Sequence, residues 1–438
     1  MNLLWKTENK AYHWRKAVFP LNILIIDDLL VPERAKADSA GKVLFCKAAE
    51  ENLRRRIFLA DSFQRFGANV LLLRAELCSS KSNLSFDFRE SGGLSQLFIR
   101  IPTASKSFLH FRELFEFSAA ISENSPSLSG IFSPDVVIAG GILPFSVSAG
   151  TKLCDFGNAI LISELSSFPK EVLQKFGLCS AFNPVLRFLN KSFEQAFFKS
   201  HAVLGAFPLA PQKFSGAHNL YPMVLPPVFT EEKPSANGAL FREKLSAFGE
   251  GKTFVLAFCG ELEEGCSIEE LILSAGAFGD RFALVFLSEG RKKSCFKRFI
   301  AERGITNVFF LEGALREEIP FILSGADGIF VAESSLGKGL FPEQEAFWSA
   351  LGAQKPVIAA SEHWADFFRK AGGVIITKPR RKDSITLGIK TLLSMSEADR
   401  ETLGRANRNF FEKNSAENFA KDCFSLFDNL VNQKEIKK

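Results

Sequence analysis

The sequence predicts an α/β protein built from two domains, each a doubly wound parallel sheet. Short apolar segments, typical of strands buried on both faces, alternate with longer helical segments through both halves of the chain. The chain has 438 residues, which is too long for one ordinary hydrophobic core. Alternation of strand and helix favours right-handed crossovers between parallel strands, so each half is expected to form its own sheet.

The first half opens with a strand at residues 21–26, where a continuous apolar run ends in Asp27-Asp28. A long helix is predicted over residues 40–66, because Gly67 then interrupts it and a new apolar run begins at Asn69. This is a strand–helix–strand unit. The remaining predictions are strands at 69–73, 97–101, 135–139, 159–162 and 202–206, a helix at 183–200, and a strand followed by a loop at 136–151.

A proline-rich connector, Tyr221-Pro222-Met223-Val224-Leu225-Pro226-Pro227, is the best domain boundary in the sequence. We therefore predict an N-terminal domain at residues 1–225 and a C-terminal domain at residues 226–400. Helices at 401–438 are predicted to pack back on the N-terminal domain. Open α/β sheets bind ligands at the carboxyl ends of their strands, so a ligand is expected in a cleft that both sheets face.

The second half repeats the alternation more regularly. Each apolar run is short and is followed by a glycine-containing turn or a polar turn and then a helix. The predicted strands are 253–258, 282–287, 307–311, 327–332, 357–360 and 374–376. One helix is predicted to begin near residue 267, and further helices are predicted at 292–303, 316–324 and 343–351. Two more helices are predicted within 397–431.

Composition narrows the functional classes. The net charge is +5 and the basic residues are scattered, so nucleic acid is not an expected partner. The short cluster Arg54-Arg55-Arg56 is predicted on a solvated helix face or loop. Eight cysteines show no CxxC spacing, which favours free buried thiols in a reducing compartment and no metal. No apolar run reaches the length of a membrane span, and no secretory signal is evident, so a cytoplasmic location is expected.

Phenylalanine is unusually frequent, with 47 Phe against 2 Tyr. Two interpretations stay open at this point. Phe can simply replace other apolar residues in the core, or some Phe side chains can face a membrane or a partner protein.

The order of the strand-to-helix junctions in the second half resembles the C-terminal domain of family 4 GT-B glycosyltransferases, of the type that builds bacterial capsule and O-antigen polysaccharides. The matching segments are Phe258-Cys259-Gly260 with Gly265, Ser288-Glu289-Gly290, 307–313, Glu318-Ile319-Pro320, 325–327 and Lys355-Pro356-Val357-Ile358. The first half is similar to the same family through Ile25-Ile26-Asp27-Asp28, 38–41, 66–70 and a segment around Phe168-Pro169 and Asn183-Pro184.

This resemblance implies two Rossmann-like domains and transfer of a sugar from a nucleotide-diphosphate sugar, with retention of configuration and no essential metal or cofactor. It implies a glycan or lipid-linked acceptor, reached at the inner face of a membrane. No catalytic residue is assigned. The residues expected on the donor side are Gly260, Glu289, Lys338, Gly339, Glu343 and Glu345, and those on the acceptor side are Asp38, Gly41 and Glu164.

One position departs from the family pattern. Family members usually carry a carboxylate seven residues before the proline of the Lys-Pro pair, where this chain has Ser349. Glu345 lies one helical turn earlier on the same face and is the expected substitute. The acidic segment at 261–264 also replaces basic residues near the diphosphate. Two alternatives therefore stay open, namely a GT-B binding or scaffold subunit without turnover and, less favoured, a sugar-nucleotide epimerase.

Overall fold

The computed structural model describes residues 20–27, 40–78, 84–102, 111–140, 145–165, 191, 195, 197–205, 220–221, 236–247, 254–260, 262, 267–288, 292–312, 318–333, 341–362 and 364–436. The chain forms two compact units. The first comprises Met1–Leu225 together with Glu417–Lys438, and the second comprises Pro226–Ala416. Each unit is built around its own sheet.

The first unit contains an eight-stranded sheet. Its strands are β1 (Asn22–Asp27), β2 (Asn69–Cys78), β3 (Ser85–Ser91), β4 (Leu94–Pro102), β5 (Val136–Gly140), β6 (Ile160–Leu165), β7 (Ala202–Gly205) and β8 (Leu220–Tyr221). They lie in the order β3-β4-β2-β1-β5-β6-β7-β8. All neighbours pair in parallel except β3 and β4, which form an antiparallel hairpin at one edge.

Between these strands the described residues include the helices α1 (Ala40–Arg65), α2 (Phe111–Glu123), α3 (Ser125–Ile131) and α4 (Phe145–Gly157). The helix α1 ends as predicted, because Gly67 adopts a φ of +92°, which favours glycine. The prediction of a loop up to residue 151 was wrong in part, since α4 begins at Phe145. Its Ser146, Val147 and Leu153 are buried, so helical spacing places these residues on the face that packs on the sheet.

The second unit contains a six-stranded, fully parallel sheet. Its strands are β9 (Phe254–Phe258), β10 (Phe282–Phe286), β11 (Val308–Phe310), β12 (Gly328–Ala332), β13 (Val357–Ala360) and β14 (Val374–Thr377), in the order β11-β10-β9-β12-β13-β14. Its helices are α5 (Ala236–Ala247), α6 (Ile268–Gly276), α7 (Lys293–Glu302), α8 (Ile319–Leu323), α9 (Phe341–Gly352), α10 (Ala365–Ala371), α11 (Lys382–Ser394) and α12 (Glu397–Lys413).

The last two helices divide between the units. In the second unit, the buried amide of Asn407 on α12 donates hydrogen bonds to the carbonyls of Lys355 and Gly373, both at 2.9 Å. The final helix, α13 (Ala416–Ile436), belongs to the first unit from Glu417 onward. There, Phe424 and Phe427 pack against Phe63 of α1.

Phenylalanine fills much of both cores. Trp348 and Arg56 are among the largest fully buried side chains, and the others in that group are all phenylalanines: Phe63, Phe117, Phe197, Phe258, Phe282, Phe286, Phe330, Phe347 and Phe368. Phe115, Phe156 and Phe198 are exposed. The core interpretation therefore accounts for many phenylalanines but not for these three. No helix in the described part of the chain is long and apolar enough to cross a membrane.

Candidate functional site

The carboxyl edge of the second sheet carries the candidate donor-side residues that the structure describes. The chain leaves β9 at Cys259-Gly260, in the middle of the sheet, where the crossovers on either side diverge. Gly260 has a φ of +149°, and a Cβ atom there would lie 3.2 Å from Cζ of Phe258. Both facts favour glycine, so the chain bends sharply here and its backbone can come close to a ligand.

Glu345 lies beside this turn. It occupies the first half of α9 and is half-buried. Burial raises the pKa of the Cys259 thiol well above its usual range, and the negative charge of Glu345 raises it further. Because such an effect requires proximity, the sequence-predicted Glu345 and the turn at Gly260 are neighbours at the carboxyl edge of β9.

Ser349, the position where the family pattern has a carboxylate, is only 2% exposed. It follows Glu345 by one helical turn and lies between Trp348 and Ala350, which are both buried. A carboxylate at this depth would lose its hydration without an evident partner among the described residues. The local packing of α9 therefore suits serine at position 349, and Glu345 is the α9 carboxylate whose charge acts on Cys259.

Glu333 is a buried carboxylate at this edge that the sequence analysis did not single out. It directly follows β12, and its Oε2 accepts hydrogen bonds from Oγ of Ser361, at 2.7 Å, and from the backbone N–H of Glu362, at 3.0 Å. This carboxylate ties the end of β12 to the end of β13. Its position as the first ionisable residue after an apolar strand was a signal that could have identified it.

The other donor-side predictions have fewer structural facts. Glu343 lies in the first turn of α9. Glu289, Lys338 and Gly339 lie outside the described residues, as does Asp38 on the acceptor side. No group of three or more His, Cys, Asp or Glu side chains that could hold a metal ion occurs within the described ranges.

A separate pocket of about 490 Å³ opens between α6 and α7 in the second unit. Its lining mixes both signs of charge and includes neither Gly260 nor Glu345. The charged residues around it are Glu269, Glu270, Lys292, Arg298, Glu302 and Arg380.

In the first unit, Glu164 belongs to a buried ionic cluster at the carboxyl edge of the sheet. Its Oε1 accepts a hydrogen bond from Nη1 of Arg55 at 3.0 Å, and its Oε2 accepts one from Nε of Arg56 at 3.3 Å. Arg56 also donates from Nη1 to Oδ1 of Asp27 at 2.5 Å and from Nη2 to the carbonyl of Gly140 at 2.8 Å. One guanidinium thus joins the ends of β1, β5 and β6.

This cluster corrects the prediction for the basic run at residues 54–56. Arg54 is exposed as expected, but Arg55 and Arg56 are only 3% and 1% exposed. The reason is that Asp27 and Glu164 lie at the ends of β1 and β6, where their carboxylates contact this turn of α1. Paired guanidinium groups can be buried, whereas unpaired ones would be solvated.

Gly41, the third acceptor-side prediction, lies in the first turn of α1. It precedes Arg55 by about 21 Å along the helix axis, at about 1.5 Å per residue. The structure therefore does not bring Gly41 next to the cluster around Glu164.

The whole chain resembles several solved structures. It aligns with a sucrose-phosphate synthase from Thermosynechococcus elongatus at a TM-score of 0.61 and 14% identity, covering 94% of this chain and 100% of that one. An α,α-trehalose-6-phosphate synthase from Burkholderia multivorans gives 0.59 and 11%, with coverage of 95% and 98%. The Anabaena protein HepE in complex with UDP and glucose gives 0.57 and 12%, with coverage of 93% and 100%.

These similarities show that the predicted fold class is correct. Both units are parallel-sheet α/β structures of the kind found in GT-B glycosyltransferases. At such low identity they establish the fold and nothing finer. No protein-family model matches the chain, and no curated protein matches it.

Proposed function

We propose that this chain is a glycosyltransferase that moves a sugar from a nucleotide-diphosphate sugar to a glycan or lipid-linked acceptor. The observation that carries the proposal is that Glu345 lies close enough to Cys259 to act on its thiol, beside the glycine turn at Gly260 and at the carboxyl edge of the second sheet. In open α/β sheets this edge is where nucleotides bind. A UDP complex of a structural neighbour, HepE, gives the proposal a first ligand to test.

On the donor side, Glu345, Gly260, Lys338 and Gly339 each have a distinct physical role. The carboxylate of Glu345 accepts hydrogen bonds from the ribose hydroxyls, which are neutral donors. The turn at Gly260 lets backbone approach the donor closely. Lys338 and Gly339 meet the diphosphate with a positive charge and an accessible backbone amide. Glu289 and Glu343 complete the proposed donor side.

On the acceptor side, we propose that Glu164 acts through the arginines that it holds. Arg56 fixes the ends of β1, β5 and β6, which are the points where the acceptor-side loops leave the sheet. Asp38 and Gly41 are proposed to contribute from the segment before and at the start of α1. In this proposal the buried cluster positions the loops, and the loops contact the acceptor.

The proposed reaction retains the anomeric configuration and uses no essential metal. Its rate enhancement comes from holding donor and acceptor in register and from stabilising the departing diphosphate. We also propose a cytoplasmic protein that meets its acceptor at the inner face of a membrane, in polysaccharide biosynthesis. Among the described residues, the exposed Phe115, Phe156 and Phe198 are compatible with such contact.

One observation favours a second candidate, a GT-B subunit that binds nucleotide without turnover. Ser349 is buried and uncharged where the family pattern has a carboxylate. A protein of this kind would bind the donor but would neither transfer its sugar nor hydrolyse it.

Calorimetric titration with nucleoside diphosphates and common sugar nucleotides tests the proposal. Enzymes typically bind substrates with constants of about 1 μM to 1 mM, so at least one sugar nucleotide should bind in that range. Glu345→Ala should weaken binding by about 1–3 kcal/mol, because ribose hydroxyls lose their acceptor. Glu401→Ala, at an exposed carboxylate of α12, is the matched control and should bind normally. Absence of binding contradicts the proposal, and binding without transfer or hydrolysis favours the second candidate.

A further inference from the structure

At the edge of the first sheet that carries the β3–β4 hairpin, the strands are longer than the central strand β1. The strand β1 ends where Asp27 pairs with Arg74, whereas β2 continues to Cys78 and stays paired with β4 to the end. The extension adds about 13 Å at about 3.3 Å per residue. Together with β3 it forms a three-stranded ribbon that projects past the carboxyl edge of β1, on the side where open α/β sheets bind ligands.

The two faces of this ribbon differ in character. On one face, Ala75 and Leu77 pack with Leu114 of α2 and Phe145 of α4. The other face carries Arg74 and Glu76 from β2, Phe98 and Arg100 from β4, and Asp87 and Arg89 from β3, and we call these six residues the polar face. Its acids and Arg89 and Arg100 are 31–40% exposed, so water reaches these four side chains.

Four side chains of the polar face form a closed ring of ion pairs. Arg89 donates to both oxygens of Glu76, at 2.9 and 2.8 Å, and from Nε to Oδ2 of Asp87 at 2.8 Å. Arg100 donates from Nε to Oε2 of Glu76 at 2.7 Å and lies 2.9 Å from the same Asp87 oxygen through Nη2. The guanidinium of Arg89 also lies 4.2 Å from the ring centre of Phe98, which fixes its plane.

The ring leaves one hydrogen-bond donor and one hydrogen-bond acceptor unused, on two side chains that contact each other. Among the contacts of the described residues, Nη1 of Arg100 and Oδ1 of Asp87 take part in none. Nη1 of Arg100 is a donor and Oδ1 of Asp87 is an acceptor. Both atoms are held in place because other atoms of the same two side chains form the ion pairs of the ring. A sugar hydroxyl donates and accepts at once, so it matches this pair.

The charge of the ring argues against an anionic ligand. Two guanidinium groups are balanced by two carboxylates, so a phosphate placed on Arg100 would also face Glu76 and Asp87. Phosphate recognition favours guanidinium groups that carry excess positive charge. A neutral, hydroxyl-rich ligand meets no such repulsion.

We infer that the polar face binds the hydroxyl groups of the acceptor, and that the acceptor is an unphosphorylated saccharide. This inference rests on the proposed transferase function and names the substrate class of its acceptor side. The polar face continues the buried cluster outward, because Nε of Arg74 lies 3.5 Å from Oδ2 of Asp27. The buried cluster and the partly exposed face thus form one continuous network of polar side chains at the carboxyl edge of the first sheet.

Saturation-transfer NMR on the full chain tests the inference with neutral trisaccharides of glucose, galactose and mannose, and with glucose 6-phosphate as the charged comparison. At least one trisaccharide should bind at millimolar concentration. Asp87→Asn, which keeps the shape of the side chain, and Arg100→Gln, which replaces the guanidinium with a shorter neutral amide, should each weaken it about tenfold. Arg112→Gln is the matched control, since Arg112 is an exposed arginine paired with Glu116 on α2, away from the face.

Three results would overturn the inference: no trisaccharide binds, the two face variants bind as the wild type does, or glucose 6-phosphate is the probe that Arg100→Gln weakens. Sugar-nucleotide binding measured on the same samples separates this failure from failure of the proposed function. A chain that binds a sugar nucleotide but no trisaccharide contradicts the polar-face inference alone. Trisaccharide binding at the face without any sugar-nucleotide binding contradicts the proposed function, and the face is then a saccharide-binding site rather than an acceptor site.

Discussion

Replacement of Arg56 by Met tests whether the buried cluster holds the first sheet together. Arg56→Met removes the hydrogen bonds to Asp27, Gly140 and Glu164. Removing one partner of a buried ion pair costs about 3–5 kcal/mol, because the other charge stays buried. Here Glu164 keeps Arg55 at 3.0 Å and Asp27 keeps Arg74 at 3.5 Å, so we expect the lower end of that range, about 3 kcal/mol.

Native-state hydrogen exchange followed by mass spectrometry measures this loss in each unit separately, which suits a chain of two units. Peptides from β1, β5 and β6 should exchange on the order of a hundredfold faster, since each 1.4 kcal/mol corresponds to a factor of about ten. Peptides from the second unit should be unchanged. Arg56→Lys should lie between, because it keeps the positive charge but its single nitrogen cannot reach the three acceptors that the separate nitrogens of the guanidinium contact.

Arg54→Met is the matched control, at an exposed arginine two residues earlier on the same helix, and should change stability by less than about 0.5 kcal/mol. Equal protection of the β1 and β6 peptides in the Arg54 and Arg56 variants would refute the reasoning. It would mean that the cluster contributes no more than a surface pair.

Two further predictions concern backbone strain and pH. Gly260→Ala should destabilise the second unit by about 1–3 kcal/mol and weaken nucleotide binding. The control is Gly279→Ala, at a φ of +59° with open space around it, which should destabilise the unit without changing nucleotide binding. Equal nucleotide affinity of the two variants would contradict this prediction. Hydrogen bonds from Arg89, and then from Arg100, hold the pKa of Glu76 below its usual 4.5. The stability that Glu76 contributes is therefore present above about pH 4.5 and is lost as the pH falls through the lowered pKa. The thermal unfolding temperature of Arg89→Gln should thus fall less steeply with decreasing pH than that of the wild type. The same pH dependence in both proteins would count against this prediction.

The elements predicted well from the sequence are those with a continuous apolar run between clear breaks. The strand β13 was predicted at residues 357–360 and has those bounds, because Pro356 precedes it and Ser361 ends the run. The helix α1 was predicted to begin at Ala40 and ends one residue before the predicted end, at Arg65. In both cases the local sequence contains the whole signal.

The ribbon was missed for the opposite reason. The sequence prediction ended β2 at residue 73, where Arg74 and Glu76 break the apolar run, and it did not include β3. Charged residues alternate there with Ala75 and Leu77, which is the pattern of a strand exposed on one face. A search for strands buried on both faces does not detect it.

The buried cluster was missed because its signal is not local. Arg55 and its partner Glu164 are 109 residues apart in the chain. Nothing near position 55 distinguishes a guanidinium that will find a carboxylate from one that will stay in water. Glu164 itself was predicted as a site residue from the family resemblance, but its arginine partners required the structure.

Binding of a nucleotide sugar by Glu345 and the turn at Gly260 decides whether this chain is the proposed transferase. Calorimetric titration of the wild type and Glu345→Ala with UDP-glucose and other sugar nucleotides tests it most directly. We expect saturable binding of at least one sugar nucleotide at a dissociation constant below about 1 mM, weakened about fivefold or more by the substitution. No binding to the wild type, or equal binding by the two proteins, would contradict it.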